Sequence, residues 1–121
     1  MTPARPLSLI TGASSGIGAE FARQLAALGH DLVLTARRVE RLERLADELR
    51  AQRGAQITVL PHDLADPAAV QWLCGALDQR GLQVDWLINN AGYGVPGTFD
   101  ASDWSTHAAF LRVLLTAPTE L

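Results

Sequence analysis

The chain has 121 residues, 48% of them hydrophobic and 19% charged, with a net charge of −3. That is the size and composition of one ordinary globular domain, and it excludes disordered, collagen-like and coiled-coil chains. All ten basic residues are arginine, so chemistry that needs a lysine ammonium, such as a Schiff base or a P-loop, is beyond these residues.

Leu7-Ser8-Leu9-Ile10-Thr11 is an apolar run closed by Gly12, which predicts a strand. Ile17, Phe21, Leu25 and Leu28 follow at helical spacing, and Gly29 stops that helix. Asp31 to Ala36 reads as the second strand. Val39, Leu42, Leu45, Ala46 and Leu49 line one face of a second helix, which ends at Gly54. Its other face, with Glu40, Arg41, Glu43 and Arg44, reads as solvated surface and not as a binding patch. Gln56 to Leu60 is the third strand. Asp66 is the expected cap of a third helix, with Pro67 in its first turn and an apolar stripe of Val70, Leu73, Cys74 and Leu77. Trp72 falls off that stripe and belongs at its rim. Val84 to Asn89 is the fourth strand, and Ser102 is the expected cap of a last helix through Trp104, Ala108, Leu111 and Leu115. Alternating strands and helices predict an α/β fold with a Rossmann-type doubly wound parallel sheet, partial, in the order 3-2-1-4.

Cys74 is the sole cysteine, so no intrachain disulfide or cysteine-based zinc site is possible, and the residue reads as a small core side chain. His30, His62 and His107 are too scattered for a metal site. The N-terminal apolar run is too short for a signal peptide, and no stretch is long enough to span a bilayer. The expectation is a cytoplasmic protein with no membrane and no nucleic-acid partner, the latter because its charge is negative.

The strongest motif is Thr11-Gly12-Ala13-Ser14-Ser15-Gly16-Ile17-Gly18, where the first strand turns into the first helix. Glycines there permit a tight exit, a close backbone approach to a ligand and close helix packing, while the helix N-terminus faces any phosphate. Asn89-Asn90-Ala91-Gly92 closes the fourth strand, and His62-Asp63-Leu64 follows the third. Together these motifs resemble the N-terminal, cofactor-binding half of the short-chain dehydrogenase/reductase family. The resemblance implies that Gly12, Ser14, Ser15, Gly16, Ile17 and Gly18 line the pyrophosphate and ribose of a dinucleotide. It implies that Asp63 accepts a hydrogen bond from the adenine amino group beside Leu64, and that Asn90, Ala91 and Gly92 border the adenosine ribose. A cofactor site that prefers NAD(H) carries a carboxylate at the end of the second strand, where this chain has Ala36 followed by Arg37 and Arg38. A guanidinium binds a 2′-phosphate that a carboxylate repels, so NADP(H) is expected over NAD(H).

The family's hydride transfer uses a tyrosine whose proton is tuned by a lysine four residues later. The only tyrosine here is Tyr93, Gly97 stands where that lysine would be, and no catalytic residue is assigned. Leu114 occupies the position at which the resemblance places the asparagine of a proton relay. A doubly wound dinucleotide fold continues with two more strands, so residues 1–121 read as one dinucleotide-binding domain, truncated within its last helix. An exposed fourth strand would then pair with further chain, with a second chain, or with a copy of itself in a homo-oligomer through that strand and the last helix. The sequence thus predicts the cofactor-binding half of an NADP(H)-dependent oxidoreductase acting on a small carbonyl or alcohol substrate. The alternative is a non-catalytic NADP(H)-binding module in a sensor or interaction role.

Overall fold

The computed structural model describes residues 5–14 and 16–121. The elements are β1 (Leu7–Thr11), α1 (Gly16–Ala27), β2 (Asp31–Thr35), α2 (Val39–Arg53), β3 (Ile57–Val59), α3 (Ala69–Gln79) and β4 (Trp86–Ile88). A short 3₁₀ turn (Phe99–Ala101) then precedes α4 (Trp104–Leu111), which runs through a π-helical segment (Arg112–Thr116) into α5 (Ala117–Glu120). The four strands form one parallel sheet in the order β3-β2-β1-β4, as the strand–helix alternation predicts.

Period-two alternation divides the side chains of the sheet between two layers. Ile10, Leu32, Leu34 and Ile57 pack against Ala19, Ala22, Leu25, Leu42 and Leu49 of α1 and α2. Leu7, Leu9 and Val33 pack on the opposite face against Leu73, Ala76 and Leu77 of α3. A third cluster joins Leu64, Ala69 and Val70 to Val113 and Ala117, which docks the α4–α5 helix against α3. β4 lies at the edge of this sheet, with Trp86 53% and Leu87 37% exposed.

Several expected details are corrected. In α1 the buried face is Gly18, Ala19, Ala22, Leu25 and Ala26, whereas Ile17, Phe21 and Leu28 are exposed. Small residues let the helix sit close to β1 and β2, and that proximity outweighs the larger apolar side chains. Cys74 is exposed, and Ala76 takes its place in the stripe of α3. Asp66 does not cap α3 directly. Its Oδ1 accepts the Ala68 N–H at 3.0 Å in a turn, and the helix starts at Ala69. Asp103, not Ser102, caps α4, accepting from the Thr106 N–H at 3.1 Å. Hydrogen bonds from the Ser105 and Thr106 hydroxyls and the Thr106 N–H hold its carboxyl below the usual carboxylate range.

Candidate functional site

Parallel register levels the carboxyl ends of the strands. Thr11 stands opposite Thr35, and Ile10 stands opposite Ile88. The segments that follow each strand therefore leave the sheet at one edge, where open α/β sheets bind ligands. They enclose a cleft of about 580 Å³, within the roughly 300–1,000 Å³ range of small-molecule sites.

The glycine turn is locked to the end of β4. Thr11 Oγ1 accepts the Asn90 N–H at 3.0 Å and the Ala91 N–H at 2.9 Å. Asn90 Nδ2 donates to Thr11 O and Gly12 O, each at 3.2 Å. Asn90 thus acts first as the fastener between the turn and the fourth strand. Replacing Thr11 with valine leaves two part-buried N–H groups without their acceptor. This predicts a loss of about 1–3 kcal/mol in urea unfolding, with the sheet topology kept.

Of the residues singled out from sequence, Gly12, Ser14, Ile17, Arg37, Arg38, Asp63, Leu64, Asn90, Ala91 and Gly92 all line this cleft. Gly18 is buried beneath the turn and lies behind the wall. Gly16 opens α1 at φ +59°, and a side chain there would project into open space. Ser15 lies outside the described residues.

One end of the cleft is cationic. Arg37 and Arg38 are joined by Arg41, one helical turn further along α2, which sequence reading had assigned to the solvated face. Arg37 precedes the helix and Arg38 caps it, so helical spacing alone does not put Arg41 beside them. Among the described residues no carboxylate lies within 4.0 Å of any of the three guanidinium groups, whereas Arg23 pairs with Glu48 at 2.9 Å. Arg38 is the N-cap of α2 and makes no side-chain cap bond, so the helix adds unpartnered N–H groups to this end.

The other walls mix one acid with apolar surface. Asp63 Oδ1 accepts the Ala65 N–H at 2.9 Å, while Oδ2 has no hydrogen-bond partner among the described residues. Leu64, Ala91, Ala109 and Val113 supply flat apolar surface around it. Tyr93 also lines the cleft and meets Phe110 edge to face, with centroids 5.6 Å apart. Thr35, missed in the sequence reading, is fully buried on the cleft wall, and its Oγ1 has no hydrogen-bond partner among the described residues. Leu114 lies in the π-helical segment, with Cδ2 only 2.9 Å from where a Cβ on Gly92 would stand. Among the described residues no helix is long and apolar enough to cross a membrane, and no group of three potential metal ligands is found.

Comparison with known proteins agrees with this geometry. Residues 7–120 match the family model for short chain dehydrogenases. The chain is 42% identical over 89 residues to a fatty acyl-CoA reductase of Acinetobacter baylyi, covering 74% of this chain and 30% of that protein. A short-chain dehydrogenase from Sphingobium yanoikuyae, solved in complex with NADPH, superposes with a TM-score of 0.88 at 40% identity, covering 95% of this chain and 44% of that one. L-Sorbose reductase from Gluconobacter frateurii, solved with NADPH and L-sorbose, gives a TM-score of 0.90 at 30% identity, with 98% and 45% covered. The chain therefore spans less than half the length of each of these proteins.

Proposed function

The chain belongs to the short chain dehydrogenase family of oxidoreductases, and on that premise we propose that it forms the NADP(H)-binding portion of an enzyme that interconverts a carbonyl and an alcohol. The observation that carries this reading is the meeting of Arg37, Arg38 and Arg41 with Asp63 and the glycine turn on one cleft. Three clustered cations without a carboxylate partner repel one another, and a dianionic 2′-phosphate offsets that repulsion with charge-assisted hydrogen bonds. NADPH in two of the matched structures supports the same choice.

The residues present fit such a group. The glycine turn offers backbone N–H groups at a helix N-terminus. Leu64, Ala91 and Val113 form an apolar slot for a purine, and Asp63 Oδ2 is left to accept its amino group. The buried Thr35 hydroxyl gives the same wall an unsatisfied donor and acceptor. A bound nicotinamide dinucleotide supplies the hydride. The chain's own residues bind it, orient it and shield its adenosine end from water.

One observation favours a second reading, a module that binds NADP(H) without catalysis: Leu114 is apolar where the family resemblance expects an amide. Incubating the purified chain with NADPH and a panel of aldehydes and ketones tests both readings together. The expected result is enhanced NADPH fluorescence without oxidation. Absence of binding refutes both readings, and turnover would show that the chain carries its own acid/base machinery.

A further inference from the structure

His62 lines the cleft and belongs to a side-chain cluster that the cofactor reading leaves unused. His62 Nε2 donates to Asp66 Oδ2 at 2.8 Å. Its imidazole lies flat on the Trp72 indole, with centroids 4.5 Å apart and planes 18° from parallel. The backbone N–H of His62 donates to Ala36 O at 3.0 Å, which ties the start of this turn to the residue before Arg37. Trp72 is 41% exposed and lies off the apolar stripe of α3, so core packing does not account for its position.

These contacts converge on Asp63. The Asp66 N–H donates to Asp63 O at 3.0 Å, and Asp66 Oδ1 accepts the Ala68 N–H, which ties the turn to the start of α3. With Oδ1 held by Ala68 and Oδ2 by His62, the Asp66 carboxylate is fully engaged, and its pKa falls below the usual carboxylate range, first through the Ala68 N–H and then through His62. The turn is thus fixed to β2 through Ala36, to α3 through Ala68 and sideways through Trp72. Asp63 is held with one oxygen spent inside the turn and the other left over.

We propose that His62 is a positioning residue for adenine recognition. Clamped between Asp66 and Trp72, it holds the turn so that the remaining Asp63 oxygen faces the exocyclic amino group of the purine. The inference rests on the reading of the cleft as a dinucleotide site. It predicts a defect specific to the amino group, which a general loss of stability would not give.

The test uses two ligands, NADP⁺ and its analogue in which the exocyclic amino group is closed into an etheno ring and cannot donate. Wild-type chain is expected to bind NADP⁺ about tenfold more tightly, the worth of one hydrogen bond to a charged group. His62→Ala should lose about that factor for NADP⁺ and leave the etheno analogue unchanged, so that the two affinities converge. His62→Gln keeps an N–H donor for Asp66 and should recover part of the difference. Should His62→Ala fail to fold, Trp72→Ala removes the stack from an exposed position, with the same selective loss expected. Equal losses for both ligands, or no loss, overturn the positioning role while the dinucleotide reading stands. Equal wild-type affinities for the two ligands also overturn it, because Asp63 then does not read the amino group. Failure of the wild-type chain to bind either ligand sinks the dinucleotide reading and this inference with it.

Discussion

Replacing Gly18 with alanine is expected to abolish NADPH binding and to cost the fold about 3 kcal/mol or more, the upper range for overpacking a site that cannot relax. A Cβ at this position would stand 2.3 Å from Gly12 O and 2.5 Å from Asn90 Nδ2. The first neighbour is backbone, and the second, although a side-chain end, is held by its hydrogen bonds to Thr11 O and Gly12 O. Gly12 O belongs to the turn and accepts the Asn90 amide at 3.2 Å. The turn has little room to retreat, because Ala91 closes the other side of Gly12: a Cβ built on Gly12 would stand 2.8 Å from Ala91 Cα. The added methyl must therefore push α1 away from the sheet or break the Asn90 link, and either movement displaces the N–H groups that face a phosphate. Gly75 on α3 provides the control, since a Cβ there meets nothing within 4 Å. Gly75→Ala should leave binding intact and raise stability by about 0.5–1 kcal/mol. Urea unfolding with NADPH titration of both variants checks the pair. Wild-type stability and affinity in Gly18→Ala would show that the turn is not wedged between α1 and the end of β4.

Replacing Arg37 with aspartate should move cofactor preference from NADPH toward NADH by at least about tenfold. One charge-assisted hydrogen bond is worth about 1.5–3 kcal/mol, and the new carboxylate also repels the 2′-phosphate. The same carboxylate can accept hydrogen bonds from the free 2′-hydroxyl of NADH. Arg38 and Arg41 remain on the cleft wall, so some affinity for NADPH should persist in the single variant and fall again in Arg37→Asp combined with Arg41→Ala. Calorimetric titration with both cofactors measures the ratio. A ratio unchanged from wild type would remove Arg37 from the phosphate site.

The sheet order was legible because strand–helix alternation with right-handed crossovers leaves few arrangements. The glycine turn and Asn90 were legible because backbone constraints restrict residue choice at those positions. Ile17, Phe21 and Leu28 were misread for a physical reason. Periodicity marks large apolar residues, whereas α1 buries small ones in order to approach the strands. Cys74 likewise carried the stripe on paper while Ala76 carries it in the fold. The third guanidinium at the cleft, Arg41, was hidden in a run of alternating charges whose neighbours do face solvent. The role of His62 was invisible because it depends on Trp72, ten positions along the chain and on another element. The unsatisfied hydroxyl of Thr35 belongs to tertiary packing, which no local pattern encodes.

The central claim is that the cleft between the glycine turn, the arginine end of α2 and Asp63 takes a 2′-phosphorylated dinucleotide. Calorimetric titration of the wild-type chain with NADPH and NADH in the same buffer tests it most directly. The account predicts saturable binding of NADPH at least about tenfold tighter than that of NADH, as loss of one charge-assisted hydrogen bond implies. Equal affinities, or no heat of binding with either cofactor, would contradict it.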